Sequence, residues 1–175
     1  MTGDMTGCMT GADQWRRAMR ALSALCIDPA GLKGLTLRAR PSPARPVFEG
    51  LLPTHPLPLQ RIPPDLSDTQ LFGGINVAAS LSEGRMVHDK GIADTPAALI
   101  LTMAERASPG LAARLAQGLD ASPDHALILL DEGATPEEAA PEPLTERLAF
   151  HVALSENRWS QAKPLLPAPA DLDAA

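Results

Sequence analysis

The chain has no tyrosine and only three phenylalanines in 175 residues, so its core must be built almost entirely from aliphatic side chains. Two cysteines, Cys8 and Cys26, are too few for a disulfide framework and suit a reducing compartment. No apolar run approaches the roughly 20 residues needed to cross a bilayer, so no membrane insertion is expected. The first residues repeat Met-Thr-Gly three times and lack the basic-then-apolar pattern of a signal peptide, which points to a cytoplasmic protein. Positive charge is also short: 15 Lys and Arg stand against 21 Asp and Glu, and a net charge of -6 argues against a nucleic-acid surface. Finally, Gly-Lys-Ser and Gly-Lys-Thr occur nowhere, which removes the usual lysine and hydroxyl of a phosphate-binding loop.

What is present alternates between helical and strand patterns. Asp13 can cap a helix over 14–27, with Trp15, Ala18, Met19, Leu22, Leu25 and Cys26 on one face. Pro29 and Gly31 end it, and 35–38 reads as a short strand. A short helix over 47–52 and a strand over 58–62 follow. Residues 73–82 read as a helix with Ile75, Ala78, Ala79 and Leu81 turned inward. The apolar runs 97–103 and 126–130 read as buried strands. Between them Ser108-Pro109 opens a helix carrying Leu111, Leu115 and Leu119. A helical turn over 143–147 and a strand over 148–154 complete the pattern. Such alternation implies an α/β fold with a mostly parallel sheet flanked by helices. Residues 1–12 read as a flexible tail, 13–162 as one domain, and the Pro/Ala-rich 163–175 as a linker toward a further region.

The stretch Asp28-Pro-Ala-Gly-Leu-Lys-Gly-Leu-Thr-Leu-Arg38 leads into the place where a phosphate loop would sit in a P-loop NTPase-like fold. That place holds Ala39-Arg-Pro-Ser-Pro-Ala-Arg-Pro46. A phosphate cradle is made of backbone N–H groups, and each proline removes one. The nucleotide-binding motifs are therefore degenerate on this reading, and neither a bound nucleotide nor any other cofactor is expected on this chain.

Four ordered segments carry a family likeness: 28–35, Leu71-Phe-Gly-Gly-Ile-Asn-Val-Ala-Ala-Ser-Leu-Ser-Glu-Gly-Arg85, Asp89-Lys-Gly-Ile-Ala93 and Leu144-Thr-Glu-Arg-Leu-Ala-Phe150. Together they resemble the N-terminal AAA+ module of the magnesium-chelatase D subunit, of the bacteriochlorophyll and chlorophyll pathway. The resemblance covers about residues 15–160. It implies a non-ATPase subunit that assembles in a ring with the ATPase I subunit, which holds Mg-ATP, and works with the large porphyrin-binding H subunit to insert Mg²⁺ into protoporphyrin IX. It also implies that 71–93 is the family's protruding insertion in the second helix, and that the family's integrin-like domain would lie beyond residue 175. The strand that carries the Walker B acids in the I subunit reads here Leu99-Ile-Leu-Thr-Met-Ala104, and the sensor Asn of the next strand is missing. Only 121–125 separate the following helix from that strand, which leaves no room for the I subunit's long hairpin.

Several residues invite a chemical reading. Leu127-Ile-Leu-Leu-Asp-Glu132 imitates a Walker B strand, and Asp131 with Glu132 could serve a metal-dependent enzyme. A buried strand ending in a solvated acidic turn explains the run more simply. Asp65-Leu-Ser-Asp-Thr69 imitates an integrin-type metal motif but follows Pro63-Pro64, so Asp65 or Ser67 capping a turn is the better account. His55, His88, His125 and His151 share no ligand spacing, and Glu137 and Glu138 read as part of a solvated loop. By the resemblance, Arg147 stands where AAA+ proteins carry an arginine finger, a catalytic group acting in trans on the partner's ATP; by spacing alone it is a surface Arg paired with Glu142 or Glu146. A plain adaptor with no nucleotide role is the remaining reading.

Overall fold

The computed structural model describes residues 11–154; of the tail expected over 1–12, Gly11 and Ala12 belong to a helix, and the rest of it and the linker expected over 163–175 lie outside the described residues. Helix α1 (Gly11–Ile27) leads through the single turn α2 (Pro29–Leu32) to strand β1 (Gly34–Ala39). There follow α3 (Ala44–Leu51), β2 (Leu59–Ile62), α4 (Asp68–Phe72), β3 (Gly74–Ile75), α5 (Val77–Glu83) and β4 (His88–Asp89). The chain closes with β5 (Ala97–Thr102), α6 (Pro109–Ala121), β6 (His125–Asp131), α7 (Glu142–Thr145) and β7 (Phe150–Leu154).

Five strands form one sheet in the order β2-β5-β6-β1-β7, every neighbouring pair parallel. Parallel strands need crossovers, and the helices supply them while covering both faces. All seven residues of β6 are buried, as its central place demands. Side chains alternate across it: Ile128 and Leu130 join Leu25, Leu35 and Phe48 on one face. Leu127 and Leu129 join Leu101, Leu111 and Leu115 on the other. With no Tyr available, this two-layer core is mainly Leu, Ile and Ala, with Phe48 and Trp15 as its buried aromatics.

Most sequence-derived elements stand within a residue or two of their expected bounds, and three details differ. Asp13 lies inside the first turn of α1, paired with Arg16, rather than capping it. The short helix expected over 47–52 opens three residues earlier, at Ala44. Ser67, one of the two residues expected to cap a turn here, caps α4 through a reciprocal capping box with Gln70. The largest difference is the helix expected over 73–82, which is split. Gly73, at φ 76°, breaks the chain after α4, β3 pairs antiparallel with β4, and Asn76 caps the shorter α5. The apolar residues expected inside are out: Ile75 is 54% and Leu81 80% exposed, and α5 buries nothing. The 72–91 segment is thus an excursion from the domain body, presenting Phe72, Ile75, Val77, Leu81 and Met86 to the surface.

Candidate functional site

In open parallel sheets, ligands sit beyond the carboxyl ends of the strands where the order reverses direction. Here β1 lies between β6 and β7, and its carboxyl end runs through Arg40–Pro43 into α3. This is the phosphate-loop position of a P-loop fold. α3 opens on Pro43 with no side-chain cap, and Pro46 lies in its first turn.

The position is filled by the chain itself. Arg38 donates from one guanidinium nitrogen to the carbonyl oxygens of Gly133 (3.3 Å), Glu138 (3.1 Å) and Thr135. Arg40 donates to the carbonyl of Ala134. Arg45, on the first turn of α3, pairs with the Glu132 carboxylate and with Glu49 at 2.8 Å. Glu49 in turn accepts from Arg61 at 2.8 Å. Charge-assisted contacts of this kind are about twice as strong as neutral ones. The segment 132–140 therefore lies across the carboxyl ends of β1 and β6 as an anchored loop.

Asp131 organises that loop from below. It is almost fully buried, and its two oxygens accept from the backbone N–H of Gly133 (2.8 Å) and Ala140 (3.1 Å), with Arg38 3.8 Å away. Glu132's own N–H donates to the Glu105 carboxylate at 3.0 Å. Asp131 and Glu132 thus face different partners and do not converge on a common point. Among the described residues, no group of three His, Cys, Asp or Glu could hold a metal ion. Residues 127–131 of the run lie on β6, between β1 and β5, with Glu132 just past its end, so β6 is the strand after the one that would carry Walker B acids in this topology. That strand is β5, which ends at Thr102, with Met103 the next residue.

Burial opposes ionisation of Glu49, but hydrogen bonds from Arg45 and Arg61 outweigh it and hold the carboxyl below the ordinary Glu range. An unfolded Glu titrates near about 4.3. A depressed folded value adds stability above that pH, and the gain is lost as pH falls through the folded value. Glu49→Gln should therefore lower stability at neutral pH and flatten the acid side of the stability profile below about pH 4. Urea midpoints recorded from pH 7 down to pH 3 read this directly, and parallel profiles for both proteins would exclude Glu49 as an acid-sensitive brace.

Arg147 follows α7, on the turn into β7. Its fork grips Asp120 of α6, with Nε 3.0 Å from both carboxylate oxygens and Nη2 2.8 Å from one, while Nη1 donates to the Pro143 carbonyl at 2.7 Å. The partner is Asp120 rather than Glu142 or Glu146, because the α6 terminus packs beside α7. The hydrogen bond from Arg147 holds Asp120 below the usual carboxylate range, and Asp120 raises Arg147. The Arg147 side chain remains 33% exposed.

Sequence reasoning did not single out Arg38, Arg40 and Arg45. The available signal was three arginines spaced around Pro41 and Pro43, opposite an acidic loop.

The sheet order and the β1–α3 junction define an AAA+ fold of the P-loop NTPase class. Solved structures agree: a Cytophaga hutchinsonii protein classed as an ATPase superposes with TM-score 0.55 at 14% identity, over 83% of this chain and 52% of that one. The Thermotoga maritima RuvB Holliday junction branch migration motor gives TM-score 0.53 at 13% identity, over 88% and 48%. At such identities the likeness concerns the fold alone. No family model matches the chain.

Sequence relatives are more specific. The chain is homologous to a segment of the magnesium-chelatase 60 kDa subunit: it is 51% identical to that of Cereibacter sphaeroides over 161 residues, 92% of this chain and 29% of the relative. It is 45% identical to that of Rhodobacter capsulatus over 161 residues, 91% and 28% respectively. The chain thus spans less than a third of the curated relatives it matches. The magnesium-chelatase likeness read from the four ordered segments is borne out. Among the described residues no helix is long and apolar enough to cross a membrane.

Proposed function

We propose that this chain is the non-ATPase AAA+ module of a magnesium chelatase, acting in the cytoplasm. It binds no nucleotide itself, joins a ring with an ATPase subunit that holds Mg-ATP, and couples hydrolysis there to Mg²⁺ insertion into protoporphyrin IX on a large porphyrin-binding subunit. The observation that carries this reading is the occupied phosphate position: Arg38, Arg40 and Arg45 are engaged with the 132–138 loop, and prolines replace the amide cradle. The names of the relatives support the pathway, and the exposed apolar residues of the 72–91 excursion suit contact with another subunit.

Arg147 supplies the catalytic contribution, as an arginine finger reaching the γ-phosphate held by the neighbouring subunit. A guanidinium already presented as a fork to one carboxylate has the geometry to meet a phosphate. A metal-dependent enzyme built on Asp131 and Glu132 would first have to break both sets of contacts that hold those side chains. The adaptor reading separates from ours by whether partner hydrolysis depends on Arg147.

Titration calorimetry of the isolated chain with Mg-ATP should give no heat of binding up to millimolar nucleotide. Micromolar affinity would overturn the proposal, since an occupied, amide-poor junction could not provide it.

A further inference from the structure

A recess of about 250 Å³ opens between α4, the turn Ile92–Asp94, α6 and the sheet. His125, the first residue of β6, lines it, so it lies toward the amino end of that strand, away from the β1–α3 junction at the carboxyl ends. Its apolar walls are Leu71, Phe72, Leu99, Leu115, Leu119 and Leu127. Four polar side chains also reach the wall, and each is turned to a partner of its own. Asp94 accepts from the Gly91 N–H at 2.8 Å, and Ser122 from the Asp124 N–H at 3.1 Å. His125 Nε2 stands 3.2 Å from the Thr95 carbonyl, and Arg114 Nη2 pairs with Asp68 at 2.7 Å. One polar atom is left over: the Nε of Arg114 is buried and meets no acceptor among the described residues.

Gly118 keeps the recess open. It sits inside α6, where glycine is a weak helix former, and a Cβ there would meet no heavy atom within 4 Å. A larger side chain at 118 therefore has room. The opposite wall carries both roots of the 72–91 excursion: Leu71 and Phe72 at the end of α4, and Ala93 and Asp94 on the return. The roots touch at Gly91, whose Cβ would lie 2.2 Å from the Gly73 nitrogen. A guest in the recess would meet α6, the sheet and both roots at once.

We propose that this recess binds a small uncharged aromatic molecule carrying one hydrogen-bond acceptor, and that the guest braces the excursion against the domain body. An apolar cavity of about 150 Å³ holds one benzene ring, so a recess of about 250 Å³ suits roughly ten heavy atoms. Charge is excluded from both sides. An anion would be desolvated beside Asp94 and a cation beside Arg114, and the wall offers neither a free counter-charge. A single acceptor oxygen has a place, because the Arg114 Nε–H is otherwise unmet. An aromatic ring also gains against Phe72, which is part of the wall and half-exposed.

The test titrates the whole chain with acetophenone and follows methyl chemical shifts by NMR. Saturable shifts should appear at Leu71, Leu99, Leu115 and Leu127, and amide exchange over 72–91 should slow at saturation. Ethylbenzene, which lacks the acceptor, should bind severalfold more weakly. Benzoate, of similar size but charged, should bind at least about tenfold more weakly. Gly118→Leu fills the recess and should abolish binding, while Gly118→Ala leaves most of the volume and should keep it. Where the shifts fall decides the matter should Gly118→Leu fail to fold. The proposal falls if acetophenone gives no saturable shifts at these residues up to about 10 mM, if benzoate binds as well, or if binding survives in a folded Gly118→Leu chain. Equal binding of ethylbenzene would strike the acceptor, and unchanged exchange over 72–91 would strike the brace. No nucleotide or partner subunit enters the test, so the site stands or falls apart from the proposed function.

Discussion

Arg147→Ala should fold normally and still assemble with an ATPase partner, yet lower that partner's rate of ATP hydrolysis. The guanidinium is wanted only where negative charge develops on the γ-phosphate, so assembly and catalysis separate. Arginine fingers are worth roughly 10³- to 10⁵-fold in rate. The loss here should be smaller if the proposed ring also contains sites served by the partner's own arginines. In the free chain Arg147 is tied to Asp120 and to the Pro143 carbonyl on a partly exposed surface, so its removal disturbs no core contact. Surface pairs of this kind contribute little to stability. Arg147→Lys should rescue poorly, since an ammonium lacks the planar fork. Asp120→Asn is the informative companion: it loosens the tether but leaves the proposed finger in place, so hydrolysis should survive it. Steady-state hydrolysis by the reconstituted complex, with a pull-down for assembly, reads all three. Full activity of an assembled Arg147→Ala complex would leave the domain a scaffold with a surface ion pair.

Phe48→Ala should be the most damaging single truncation for stability. Phe48 is fully buried on α3, among the largest side chains with no exposure, in a core that has few other aromatics. Truncations of this kind cost about 3–5 kcal/mol, from lost burial and the cavity left behind. Against a total of about 5–15 kcal/mol for a typical domain, that is a large share. Phe72→Ala is the matched control, because Phe72 is 47% exposed on the excursion. It should change stability within about ±0.5 kcal/mol. Urea midpoints for the two variants should therefore differ widely, and similar midpoints would contradict the core described here. If the excursion is a docking element, Phe72→Ala should weaken assembly instead.

The regular elements of the body were legible in the chain because their causes are local. Leu111, Leu115 and Leu119 repeat at helical spacing behind Ser108-Pro109, and α6 forms there. The apolar run 97–103 is best read as a buried strand, and β5 is that strand, buried on both faces. The excursion was misread for an equally physical reason. Residues 75–81 have helical apolar spacing, but periodicity shows which residues share a face, not whether any surface covers that face. Gly73 and the β3–β4 pairing divide the segment, and its apolar face meets solvent.

At the site the division is sharper. Missing glycines, three prolines and the absent Lys-Ser/Thr are properties of the chain, so the expectation that it lacks a phosphate cradle rests on sequence alone. What fills that place does not. Arg38 meets oxygens some 95–100 positions away, Arg45 meets Glu132, and Arg147 meets Asp120 across 27 positions. Only the parallel crossovers, which set β1 beside β6 and α6 beside α7, bring these groups together. Composition and spacing determine which elements form, because those depend on neighbours in the chain. Charge partners depend on neighbours in space, and here only the tertiary fold chose them.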